Sequence, residues 1–120
     1  MTESSKFGFI EHATDPVSYA NGQTIFQEGD LGQHLYFVKS GEVAISVHDT
    51  VIDRIGPGDI FGEMALIDHK VRSATATAVS DTEVVPVDER RFLFLVQQHP
   101  YFAINLMSVL ADRIRRRSES

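Results

Sequence analysis

Turn-forming residues recur along the chain at short intervals, and that spacing decides what it can fold into. Asn21-Gly22, Gly29-Asp30, Ser40-Gly41, His48-Asp49, Gly56-Pro57-Gly58-Asp59, Asp68-His69 and Ser80-Asp81 break it into segments of roughly six to ten residues. Between the breaks the apolar period is two. Val43, Ile45 and Val47 point one way with Ala44 and Ser46 between them. Leu35 and Phe37 alternate with Tyr36 and Val38, the pattern of a strand that is apolar on both faces. Ser73 to Val79 alternates small alanines with threonines, which permits close approach of backbone or ligand. Short strands at this spacing predict a mainly β fold, a sandwich or a roll.

After Val87 the period changes. Asp88 is placed as a helix N-cap with Glu89 beside it, and Phe92, Leu95 and Val96 follow at helical spacing. Pro100 suits the first turn of a second helix. On that helix Ala103, Met107, Leu110 and Ile114 form one stripe, widened by Phe102, Leu106 and Val109. Two C-terminal helices over about 88–117 are therefore expected to pack on the strands. Residues 1–13 form an N-terminal extension whose Phe7, Phe9 and Ile10 are expected to pack on the main body. At 120 residues, 42% of them hydrophobic, the chain suffices for one domain, placed at 14–120.

Cysteine is absent, which excludes disulfides, zinc–thiolate sites, iron–sulfur clusters and a thiol nucleophile. No run approaches the ~18 apolar residues of a membrane span. The polar start, MTESSK, is no signal peptide, so a cytoplasmic address is expected. The formal net charge of −6 argues against nucleic acid as a partner. Four of the eleven basic residues sit in Arg113–Arg117, which reads as a solvated helix end or a contact for an acidic partner. An anion bound by this acidic chain must be held by a local device.

One stretch supplies such a device. In Gly58-Asp59-Ile60-Phe61-Gly62-Glu63-Met64-Ala65-Leu66-Ile67, Glu63 to Leu66 can form a single helical turn with Gly62 at its start. Gly62 admits a ligand oxygen where a Cβ would stand in the way. Arg72, nine positions after Glu63, brings a guanidinium able to hold two phosphate oxygens, and Ser73 adds a hydroxyl. Glu63 suits a donor such as a sugar hydroxyl, with Arg72 offsetting its charge. Other chemistry finds less support. His12, His34, His48, His69 and His99 are scattered without metal-ligand spacing and read as solvated loop residues. No carboxylate pair is positioned for acid–base work, and Ser73 has no evident His and Asp/Glu partners. The chain is read as binding without catalysis, with no metal or cofactor.

The run FGEMALIDHKVRSATATA resembles the phosphate-binding cassette of cyclic nucleotide-binding domains, the family of catabolite activator proteins, protein-kinase regulatory subunits and cyclic nucleotide-gated channels. The glycine-punctuated segment IFQEGDLGQHLYFVKSGEVAI and the turn GPGDIFGE resemble the same family, so the likeness covers roughly 14–117. With it the expected fold becomes an antiparallel β-roll (jelly roll) of about eight strands over residues 14–87, with a short phosphate-binding helix and two C-terminal helices. It implies that Arg72 holds the phosphate, that Glu63 accepts the ribose 2′-hydroxyl, and that Gly62, Met64 and Ala65 give backbone contacts. Ser73 would touch phosphate or base; serine there leans towards cAMP and leaves cGMP open. The family caps the purine with its last helix, where Arg116 or Arg117 is the candidate. The implied mechanism is a switch in which Leu66 shifts against the last helix and that helix signals to a protein effector in trans. A monomer or weak dimer is expected. The rival readings are an interaction module of the same fold that has lost its ligand, the sensor fragment of a larger regulator, and a cupin-type metal enzyme, which would need a histidine cluster.

Overall fold

The computed structural model describes residues 15–68 and 71–118. Phe7, Phe9, Ile10, His12 and His69 lie outside the described residues. In chain order the strands are β1 (Val17–Tyr19), β2 (Thr24–Phe26), β3 (His34–Ser40), β4 (Val43–Val47), β5 (Thr50–Ile55), β6 (Ile60–Phe61), β7 (Thr75–Ala78) and β8 (Thr82–Asp88). Helix α1 (Glu63–Asp68) interrupts them, and α2 (Glu89–Gln98) and α3 (Pro100–Ser118) follow. The strands make two four-stranded antiparallel sheets, ordered β1-β8-β3-β6 and β2-β7-β4-β5. This is the mainly β, eight-stranded roll with two C-terminal helices that the turn spacing and the resemblance together lead one to expect.

The two-faced pattern of β3 has a direct cause. Its Leu35 and Phe37 join Val85, Val87 and Ile60 in a core closed by Leu66, Leu95, Phe102 and Leu106 of the helices. Val38, one residue on, joins Val84 and Phe61 in a second core against Phe26, Val43, Ile55 and Ala76 of the other sheet. The sheet carrying β3 is thus buried on both sides, so both faces of that strand must be apolar. Ala76 and Ala78 are fully buried, and the small residues of β7 serve sheet-to-sheet packing.

Local signals fix the helix starts. The Asp88 side chain accepts a hydrogen bond from Arg91 N at 2.8 Å, which caps α2. Pro100 opens α3 directly after His99, the C-cap of α2. The face that α3 turns inward differs from the expected stripe. Phe102, Leu106 and Arg113 are buried, with Val109 and Leu110 partly so, while Met107 and Ile114 are 60% and 66% exposed. The helix is apolar around most of its circumference, and the side that meets β3 and α2 is the one bearing Phe102. Among the described residues no helix is long and apolar enough to cross a membrane.

Candidate functional site

Gly62 links β6 to α1 with φ +77°, in the left-handed region that glycine enters at no steric cost. A Cβ at this position would stand 2.8 Å from Arg72 Nη1 and 3.3 Å from the Phe26 ring. Both the backbone angle and the space Arg72 fills therefore require glycine.

Arg72 is 5% exposed. Its Nη1 donates to Gly62 O at 2.7 Å, and its Nη2 donates to His34 O at 2.6 Å. The guanidinium lies 4.0 Å from the centroid of Phe26 and 5.8 Å from that of Tyr36, and Tyr36 stacks on Phe61 at 5.0 Å. The main chain is held as firmly: Arg72 N donates to Asp30 O and Gly29 N donates to Arg72 O, both at 2.8 Å. Burial pushes the Arg72 guanidinium below its ordinary range, opposed by the Tyr36 phenol and the Glu63 carboxylate. Burial likewise raises Tyr36, and the charge of Arg72 pulls the other way.

Glu63, the first residue of α1, is buried, and its partner is not the expected one. The guanidinium that bonds its Oε1, at 2.7 Å, is Arg113 from α3. Arg113 also donates to Ile60 O and, at 3.3 Å, to Asp59 Oδ1. The reading of Arg113–Arg117 as a solvated helix end is thus corrected for Arg113, whose side chain is 10% exposed. It fastens α3 to the residues on either side of β6. The charge offset assigned to Arg72 at Glu63 is shared, since Arg113 makes the direct contact. His34, read as a loop residue, opens β3 and supplies a carbonyl to Arg72.

These groups line one cavity of about 690 Å³, within the range of small-molecule sites. Gly62, Glu63, Met64, Arg72 and Ser73 stand at one end of its lining. Ile45, Val47, Ile52, Asp53 and Ile55 from β4 and β5 form a wall, and α3 contributes Leu110, Arg113 and Ile114. Among the described residues, the Nε atoms of Arg72 and Arg113 are buried without a hydrogen-bond partner. Five of the sequence-predicted residues thus share the cavity. Ala65 lies in the first turn of α1, with a side chain outside the described residues. Arg116 is exposed, 3.9 Å from Asp53, and the Arg117 side chain is not among those described. Sequence reasoning missed Arg113, Phe26, Tyr36 and Asp53. For Arg113 a signal existed: it continues the spacing of Phe102, Leu106 and Val109. Among the described residues no three His, Asp or Glu side chains gather as metal ligands.

Fold and site together define a β-roll with a charged cavity: two buried guanidiniums and one buried carboxylate beside an apolar wall. The cyclic nucleotide-binding domain family matches residues 16–99. The cyclic AMP receptor protein of Thermus thermophilus is 42% identical over 102 residues, 81% of this chain and 47% of that protein. The crystal structure of the Thermus thermophilus catabolite activator protein superposes with a TM-score of 0.81 at 37% identity, covering 94% of this chain and 55% of that one. The EAL enzyme Bd1971, solved in a cAMP-bound form, matches with a TM-score of 0.63 at 36% identity, over 87% of this chain and 29% of that one. Its cGMP-bound form matches with a TM-score of 0.66 at 35% identity, over 88% and 29%. The chain belongs to the cyclic nucleotide-binding domain family. It spans between 29% and 55% of the length of these relatives.

Proposed function

We propose that this domain is a cyclic nucleotide receptor that binds cAMP, with cGMP as the second candidate, and carries out no reaction on it. The observation that carries the reading is Arg72. A guanidinium that is 5% exposed, lines a cavity and keeps an unpartnered Nε suits an anion's oxygens, because burial has already removed its water. In this reading Arg72 and Ser73 hold the cyclic phosphate. Glu63 accepts the ribose 2′-hydroxyl, and Gly62, Met64 and Ala65 contribute backbone contacts. The apolar wall of Ile45, Val47 and Ile55 takes one face of the base, and Leu110 and Ile114 of α3 take the other.

Signalling follows from which elements the ligand would touch. Leu66 of α1 packs in the same core as Phe102 and Leu106 of α3, while Arg113 bonds Glu63 directly. A ligand that reorders α1 therefore changes both contacts that position α3. Closed and open states respond only to the difference in ligand affinity between them, and about 1.4 kcal/mol suffices for a tenfold shift. The output passes through α3 to a protein effector. Exposed Tyr101, Ile104 and Met107 give that helix an apolar face for such a contact. They also support the second reading, an interaction module without ligand. Calorimetric titration with cAMP and cGMP separates the two: one-to-one binding abolished by Arg72→Ala is expected, and no heat from folded, nucleotide-free protein would refute the receptor.

A further inference from the structure

Glu63, Arg72 and Arg113 line the cavity beside α1, and a fourth charged side chain, Asp53, lines it from β5. Strand register locates it. Asp53 is opposite Ile45, which is opposite Ala76, so the three share the inner face of their sheet. Asp53 therefore lies two strands from β7, about 10 Å across the sheet, and Arg72 and Ser73 lead into β7. Alternation puts it there: Asp53 stands two residues before Ile55, which is buried opposite Val43. Ser46 is opposite Val51 while Ile45 is opposite Asp53, so Ile52 is an extra residue, a β-bulge next to Asp53. Ile45, Val47, Ile52 and Ile55 make the rest of this wall apolar. Asp53 sets one carboxylate among them.

We propose that Asp53 reads the base, accepting a hydrogen bond from the 6-amino group of adenine. The assignment rests on the cyclic-nucleotide reading above. With phosphate and ribose held at Arg72 and Glu63, the remaining cavity lies between β4–β5 and α3, and the base must enter it. An ionised carboxylate only accepts, so it selects a donor on the ring edge. The carboxylate is also held in place: Arg54 N donates to Oδ1 at 2.8 Å, and Arg116 stands 3.9 Å from Oδ2 on the α3 side. Neither contact exhausts its acceptor capacity.

The test compares cAMP with purine riboside 3′,5′-cyclic monophosphate, which lacks only the amine, by calorimetry on the wild type, Asp53→Ala, Asp53→Asn and Arg116→Ala. A hydrogen bond to a charged acceptor predicts that wild type prefers cAMP by about tenfold or more. Asp53→Ala erases that preference, Asp53→Asn keeps part of it through its amide oxygen, and Arg116→Ala retains it because the acceptor remains. A purely structural Asp53 would weaken both ligands alike and leave the ratio unchanged, which would overturn the assignment. Equal binding of the two ligands by the wild type would overturn it while the receptor reading stands. No binding of either ligand would overturn both readings.

Discussion

Replacing Arg113 by methionine tests whether the α3 latch is an energetic feature of the fold. The Arg113 and Glu63 side chains are 10% and 9% exposed, so water does little to screen their pairing. The substitution leaves Glu63 as a buried carboxylate without its donor and removes the hydrogen bond to Ile60 O. Breaking a buried pair on one side costs roughly 3–5 kcal/mol, a large share of the roughly 5–15 kcal/mol that holds a domain together. For a chain of this size that lowers Tm by roughly 10–25 °C. Urea unfolding of Arg113→Met, Glu63→Gln and the double variant separates the pair from its surroundings. The double variant should recover about 1–2 kcal/mol relative to simple addition, because no uncompensated charge remains. Asp59 is 44% exposed and can turn to water, so it adds little to the loss. Arg115→Ala is the control: its pair with Asp112 is exposed, and its loss should stay within about 0.5 kcal/mol. An Arg113→Met variant within about 1 kcal/mol of wild type, or strict additivity of the two substitutions, would refute the latch.

Two further substitutions address the seat of Arg72. Gly62→Ala imposes a left-handed residue and a 2.8 Å contact on Arg72 Nη1. It should cost roughly 1–2 kcal/mol in thermal unfolding and, by displacing the guanidinium, lower cAMP affinity by more than that stability change. Affinity that stays at the wild-type value would detach Gly62 from the site. Burial raises Tyr36 above its ordinary value, so the folded chain keeps that proton where the unfolded chain has released it. Stability should then fall as pH rises above about 10, up to the folded value, and Tyr36→Phe should flatten this slope while preserving the ring stack. An unchanged slope by urea unfolding across that window would contradict the assignment.

What could be read from the sequence is what local chemistry encodes. Asp88 announces α2 because a cap bonds its own chain three residues on, and Pro100 announces α3 because its fixed φ suits a first turn. Gly62, Glu63, Arg72 and Ser73 stand within one short stretch, so their spacing could be read before their contacts were known. Contacts between distant segments were not legible. Arg113 meets Glu63 across 50 positions, and the helical spacing that sets it apart from Arg115 and Arg116 names no partner. The inward face of α3 was misjudged for a related reason. With apolar residues on both candidate faces, period alone cannot say whether Phe102 or Met107 turns inward. Asp53 shares the face of the buried Ile55 by alternation, but that this face lines a cavity depends on α3 lying opposite it, which no local pattern encodes.

Whether Arg72 anchors a cyclic nucleotide in this cavity is decided by one titration. Protein unfolded and refolded to remove carried-over nucleotide would be titrated calorimetrically with cAMP and cGMP, beside Arg72→Ala shown by circular dichroism to be folded. The account predicts one-to-one binding by the wild type and a loss of about a hundredfold or more in the variant, as expected for a charge-assisted pair of hydrogen bonds to phosphate. Wild-type protein that is folded and empty yet gives no heat, or an Arg72→Ala variant that binds as tightly as wild type, would contradict it.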